Sequence, residues 1–378
     1  MRLTAMYLGA VLGPGVLVLP ALATGEAGPA SILAWVLLLA LSVPVAMSFA
    51  ELGTRHPGGH GVAGFVGRAF GPRAQRTVAW WFAAVGVPVG VLGGALVGGQ
   101  YAAHAVGGHP LVWGTSVLVA AFAANHAGLR VSATAQVLLV GLLVALVAVA
   151  IAVRAPHVTA DDFRPFAPHG WLAVGTAATV LFFAFAGWEA ASHLSGGFPD
   201  LKRATRRTLA VVAVLYLGLA VTTVAVPGDV PLAVLLERAF GPSARVVTAV
   251  AAVLLSFGAL NTYLAGAVQL GTAMGLKRSL CVQAGWCAVL LVATAAWEVE
   301  LTTLMGVTAT TLAAVTAAGM AAAVKLLPRK APPAVALAFT LVVLGFSGWW
   351  LLVPAAVSAL AWSAAPAGRS AASPGPPC

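Results

Sequence analysis

The sequence predicts an all-α polytopic membrane protein with about twelve transmembrane helices, and three observations lead there. Of 378 residues, 61% are hydrophobic and only 8% are charged, against roughly a quarter charged in a soluble domain. So few charges cannot cover a water-soluble fold of this size, whereas lipid can serve as the outer solvent. Apolar runs long enough to cross the hydrocarbon recur along the whole chain, and the basic residues concentrate in alternate gaps between them.

In order, the runs cover roughly 5–24, 30–50, 77–103, 111–127, 131–153, 171–195, 207–227, 244–275, 280–297, 302–325, 334–346 and 348–363. Each approaches the ~20 apolar residues that a crossing needs. The last two form one stretch divided only at Gly345 and Gly348, and a single tilted helix there gives eleven spans. Arg2, the apolar stretch behind it and Ala21-Leu22-Ala23 resemble a signal peptide. Gly13-Pro14-Gly15 and Pro20 interrupt that stretch and the next run opens at Ala30, so the segment reads as a retained first helix. With the N-terminus inside, inner segments carry a net +14 and outer segments −3, and Glu189 within a span completes the formal +10. Every gap then obeys the positive-inside rule, and twelve spans place both termini in the cytoplasm of a bacterial inner-membrane protein. A single transmembrane domain is expected over 1–363, with a short amphipathic helix around Val62–Phe70. The Pro/Ala/Ser/Gly tail 364–378 is expected to be disordered.

Charge and cysteine usage exclude other classes. A nucleic-acid binder clusters Lys and Arg on one face of a folded domain; here they sit in short gaps, so the +10 reports topology. Cys281, Cys287 and Cys378 have no metal or redox spacing and imply no disulfide. His104 and His109 near the outer surface, and His56 and His60 inside, make no convincing ligand set, so neither metal nor cofactor is expected. Trp35, Trp113, Trp171 and Trp349 suit interfacial anchors.

Two interruptions carry the functional signal. Gly13-Pro14-Gly15 breaks the first run, because proline lacks a backbone donor and glycine tolerates leaving the helix. Unwound backbone at membrane depth survives only where it is buried in protein or lines a cavity. Its free amides suit a carboxylate, the alternative being a packing kink. In the sixth run Glu189 is the one acid or base well inside an apolar run, and His193 lies one turn on along the same face. A charge there costs about 2.5 kcal/mol or more, which favours a coupling or gating role over a neutral, hydrogen-bonded glutamic acid. Interruptions at matching positions in two halves point to an inverted-repeat transporter with a midplane site, although no clear residue identity links the halves. Asn261, Ser256, Gln100, Tyr101, Thr308, Thr310 and Thr311 face either a cavity or a neighbouring helix.

Several motifs together carry a resemblance to a family. Phe49-Ala50-Glu51-Leu52-Gly53-Thr54-Arg55-His56-Pro57-Gly58-Gly59-His60-Gly61 resembles the loop after the second helix in the amino acid–polyamine–organocation superfamily. Leu181-Phe182-Phe183-Ala184-Phe185-Ala186-Gly187-Trp188-Glu189-Ala190 resembles its sixth-helix signature, and Gly13-Pro14-Gly15 stands where the family has a Gly-x-Gly break. Gly61 to Gly71 and Leu260-Asn261-Thr262-Tyr263 look most like the bacterial methionine and branched-chain amino acid efflux permeases.

The resemblance implies a LeuT-like inverted repeat of five plus five helices, about 5–153 and 171–325, with extra helices over 334–363. By the same resemblance the broken segment of Leu12, Gly13, Pro14, Gly15 and Val16 offers its free amides to a substrate carboxylate. Ala184, Phe185, Ala186 and Gly187 offer carbonyls to its α-amino group, Phe183 is the gating aromatic, Asn261 joins the site, and Glu189 is the helix-six acid. Gly196-Gly197-Phe198-Pro199 departs from the family's acidic and Lys-Asn-Pro pattern, the 275–279 loop is short, and the fifth run lacks the lysine of some proton-coupled relatives. The expected activity is proton-linked export of small neutral amino acids, with import by the same machinery as its rival. A membrane-embedded enzyme has only Glu189 with His193 to work with, a channel lacks charged rings, and a sensor lacks an output domain.

Overall fold

The structure, a computed structural model, describes residues 8, 11–56, 61–129, 131–185, 187–188, 201–273, 276 and 278–363. Ala186, Glu189, His193 and the 364–378 tail, all subjects of expectations above, lie outside the described residues.

Lipid offers the backbone no hydrogen bonds, so apolar runs satisfy their own amides as helices. After a break at Leu12–Gly13 and a 3-10 turn over Pro14–Leu17 comes α1 (Leu19–Ala27). Gly28, at φ 61, separates it from α2 (Ser31–Arg55). The amphipathic α3 (Gly61–Phe70) occupies the expected place, burying Val62, Phe65 and Val66. There follow α4 (Pro72–Trp80), a π turn (Trp81–Gly86), α5 (Val87–Val106), α6 (Pro110–His126) and α7 (Ala133–Arg154). The second half comprises α8 (Ala173–Phe185), α9 (Leu201–Thr223), α10 (Pro231–Phe240), α11 (Pro242–Ala273), α12 (Ser279–Ala296) and α13 (Leu301–Leu326). Finally come α14 (Ala331–Gly345), a 3-10 turn (Gly348–Leu351) and α15 (Leu352–Ser363).

Helices occupy all twelve apolar runs, but among the described residues seven are long and apolar enough to cross a membrane alone. The broken first run, 13-residue α8 and 17-residue α6 fall short of that length by themselves. Over 331–363 the chain bends by 119° between two arms, which excludes a single straight tilted helix there. The centre of the fold is the α4–α5 span, with 83% of its most apolar window buried against 22% for the α7 and α12 spans. α5 packs along α6 and α11, and α8 lies against α1, α2 and α13.

Two local devices fix this centre. Pro88 has no N–H, so the carbonyls of Ala83 and Ala84, its π and α partners, are left without that donor. From α12, Gln283 Nε2 donates to the Ala83 carbonyl at 2.9 Å and Trp286 Nε1 to the Ala84 carbonyl at 2.7 Å. On the face predicted to be cytoplasmic, Lys325 Nζ donates to the Ala69 carbonyl at 2.6 Å and stands 5.2 Å from the Phe70 ring centre. A cation is favoured at that α3 C-terminus, and it pins α3 to α13.

α10 lies in a gap read as an outer loop, and it buries Leu232, Ala233, Leu235 and Leu236. With it comes a correction, because the halves do share residues. Arg68-Ala69-Phe70-Gly71-Pro72-Arg73-Ala74 recurs as Arg238-Ala239-Phe240-Gly241-Pro242-Ser243-Ala244. Each copy closes a 10-residue amphipathic helix, turns at a glycine of φ 93 or 82, and starts the next helix at proline. His104 Nε2 of α5 lies 3.4 Å from Glu237 Oε2 of α10, and Arg245 of α11 lies 3.7 Å from its Oε1.

Candidate functional site

The break in the first run opens onto a pocket. Val11, Gly13, Pro14, Gly15 and Val16 form one wall, Phe183 and Ala184 at the end of α8 a second, and Gly90 and Gly94 of α5 a third. Ala259, Leu260 and Tyr263 of α11 complete the described lining. Gly13 is extended at φ −94 and ψ 177, and the 3-10 turn starts at Pro14. The Gly15 amide therefore sits where a helix start provides no intrahelical acceptor.

Glycine makes the room. A Cβ on Gly15 would lie 2.6 Å from Phe183 Cδ1, and one on Gly94 would lie 3.0 Å from Leu260 Cδ1. At Gly90 it would meet the Thr308 methyl at 3.0 Å and Phe183 Cε2 at 3.9 Å. The Thr308 hydroxyl donates to the Leu304 carbonyl at 2.8 Å, so its methyl is what faces Gly90. None of the described lining residues is charged. Such a site neutralises a ligand's charges with backbone dipoles and accepts an apolar side chain.

The amino acid permease family model matches residues 1–275. The uncharacterized amino acid permease YecA of Bacillus subtilis is 31% identical over 94% of this chain and 92% of its own.

The chain belongs to the amino acid permease family.

Two further relatives are a 32% identical protein named as the L-methionine/branched-chain amino acid exporter YjeH of Escherichia coli and a 26% identical branched-chain amino acid permease, BcaP, of B. subtilis. They match 67% and 74% of the chain, over 64% and 63% of their own lengths. The permease is thus a multi-pass membrane transporter of the amino acid–polyamine–organocation superfamily, not an enzyme. Crystal structures of Eremococcus coleocola manganese transporter mutants share its fold, with TM-scores of 0.64 and 0.65 over 96% of this chain and 92% of theirs. At 12% identity that likeness is one of fold alone.

Within the permease, Gly13, Pro14, Gly15, Val16, Phe183 and Ala184 lie together on the pocket walls. Leu12 is buried beside them but does not line the pocket. Phe185 turns away from it, 6.0 Å from Trp35 and 5.4 Å from Tyr216 between ring centres. Gly187, at φ 108, takes a backbone conformation that suits glycine just beyond the helix.

Asn261 has a different task from the one expected. Its Oδ1 accepts the Val131 amide at 3.1 Å and its Nδ2 donates to the Leu129 carbonyl at 3.0 Å. Asn125 Nδ2 in turn donates to the Asn261 carbonyl at 3.3 Å. The side chain clips the α6–α7 turn to α11, one residue beyond pocket-lining Leu260. Asn261→Leu should therefore lower stability by about 2 kcal/mol, since two backbone groups lose their partners. Thermal unfolding in detergent should show that loss, with leucine affinity unchanged; weaker binding without a lower melting temperature would return Asn261 to the site.

Val11, Gly90, Gly94, Ala259, Leu260 and Tyr263 line the pocket without having been expected there. Gly86, Gly90, Gly94 and Gly98 recur every four residues, a legible sign of one open helix face. Two buried tyrosines were also hidden in their roles: Tyr101 donates to the Leu17 carbonyl at 2.8 Å and Tyr216 to the Ala184 carbonyl at 3.0 Å.

Proposed function

We propose that the permease exports small neutral amino acids of the branched-chain or methionine type across a bacterial inner membrane, by proton-coupled alternating access. The observation that carries the reading is a pocket built on an interrupted helix, with α8 reaching its wall and no charged side chain among the described lining residues. The Gly15 amide in the Leu12–Val16 break serves the carboxylate, carbonyls at the end of α8 serve the ammonium, and the glycine-walled space takes the side chain. The repeated Arg-Ala-Phe-Gly-Pro segment, at the same place in each half, supports a five-plus-five inverted repeat with two extra helices and twelve crossings. Both termini then face the cytoplasm. Glu189 is the coupling acid, His193 its neighbour, and protons are the coupling ion. The exporter among the relatives supports efflux; the one named a branched-chain amino acid permease leaves uptake as the second reading.

Uptake of labelled leucine, methionine and lysine into inverted vesicles tests this. Accumulation of leucine and methionine, but not lysine, driven by an acidic interior is expected. Accumulation only under an alkaline interior would establish uptake in the cell instead, and a preference for lysine would overturn the neutral-substrate reading.

A further inference from the structure

Helix α10 is tied to the rest of the fold unevenly. It packs along α7 and α11 but, among the described residues, not along α5. Its link to α5 is polar. His104 stands about 15 Å along α5 from pocket-lining Gly94, toward the end predicted to face outward. Its Nε2 is buried, has no hydrogen-bond partner among the described residues, and lies 3.4 Å from Glu237 Oε2 of α10. The other Glu237 oxygen, Oε1, lies 3.7 Å from Arg245 of α11. One turn before His104, on the same face of α5, Tyr101 donates to the Leu17 carbonyl of the broken first run. The Leu232 amide at the start of α10 faces that same hydroxyl.

The two partners of Glu237 differ in one respect. Arginine keeps its charge in proteins, so Arg245 holds Glu237 to α11 throughout. Histidine gains and loses its charge between about pH 5 and pH 8, and an imidazolium at 104 adds a full charge facing the carboxylate. The other titratable groups around the pair are engaged or turned to water. His109 caps α6 by accepting the Leu111 amide, Arg154 at the end of α7 pairs with Asp162, and Arg238 on α10 and Asp229 just ahead of it are exposed. We infer that α10 is a pH-sensitive latch: a proton on His104 ties Glu237, and α10 with it, to α5 and closes the outer approach to the pocket. Loss of that proton leaves α10 held by α7 and α11 alone. Because α5 and α11 both line the pocket, α10 spans the outer ends of two of its walls. The inference takes its sidedness from the topology proposed above and nothing from the identity of the substrate. Under the export reading, protons on the outer side close the route behind a released substrate.

Hydrogen exchange of the purified full-length chain in detergent, followed by mass spectrometry, reads the latch directly. After correction for the intrinsic pH dependence of exchange, the α10 amides should gain about fivefold in protection between about pH 8 and about pH 5.5. His104→Gln keeps a donor at that place but no titratable charge, so its α10 should be equally protected at both pH values. Glu237→Gln removes the charge from the other side and should likewise abolish the change, which keeps the test open if His104→Gln does not fold. Equal protection at both pH values in the wild-type chain would overturn the inference, as would a full gain in acid that survives in either variant. Exchange in micelles does not depend on which way the chain faces or on what it carries, so failure here leaves the export reading standing.

Discussion

Gly15→Val should abolish substrate binding while leaving the protein folded. The first atom added, Cβ, already falls 2.6 and 2.7 Å from Phe183 Cδ1 and Cε1, and 3.1 Å from Leu19 Cδ1. Something must shift, and the Phe183 ring at the pocket wall is what can. Valine adds two methyls beyond that Cβ, in a space bounded on its other sides by Pro14, Gly94 and Leu260. Overpacking of this kind costs about 1–3 kcal/mol in a closed core, and here it also occupies the ligand's volume. A loss of about 100-fold in leucine affinity is expected for Gly15→Val, and about tenfold for Gly15→Ala. Equilibrium binding with a matched melting temperature decides the matter, and normal affinity in Gly15→Val would place the substrate elsewhere. The backbone at Gly15 is not in the left-handed region, so the glycine serves space there rather than conformation.

The legible part of the fold was the part set by local chemistry. Hydrocarbon demands long apolar helices, so each run announced itself, and a proline between glycines marked the first break without reference to any partner. α10 stayed hidden because a 10-residue helix with Glu237 and Arg238 near its end looks like a polar gap between spans. Only its packing on α7 and α11 makes it an element. Asn261 shows the same limit from the other side. A polar residue in an apolar run declares that it needs a partner but not which face of a 32-residue helix it occupies, and its partners lie 130 and 132 residues away. The glycine spacing in α5 was readable as a face, yet a packing stripe and a pocket wall have the same period. What distinguishes them is the Phe183 ring and the Thr308 methyl opposite, brought there by distant helices. Comparing the chain with itself, rather than with a pattern, would have found the Arg-Ala-Phe-Gly-Pro repeat and with it α10.

Glu189→Gln should eliminate transport driven by a pH gradient but spare substrate binding. Glutamine has the size and hydrogen-bonding pattern of a protonated glutamic acid, so it imitates one of the two states between which a coupling acid cycles. A carrier locked in that imitation still binds leucine and still exchanges it across the membrane, because exchange needs no net proton movement. It cannot convert an acidic interior into accumulation. In reconstituted vesicles, leucine counterflow should therefore persist in Glu189→Gln while gradient-driven uptake falls to the level of empty vesicles. The two assays separate coupling from binding, and their combination separates Glu189 from Gly15, whose valine variant should lose both. Gradient-driven uptake that survives in Glu189→Gln would remove the coupling role. Among the described residues the pocket walls carry no carboxylate and no basic side chain, so coupling is assigned to Glu189, the one acid that the sequence sets well inside an apolar run.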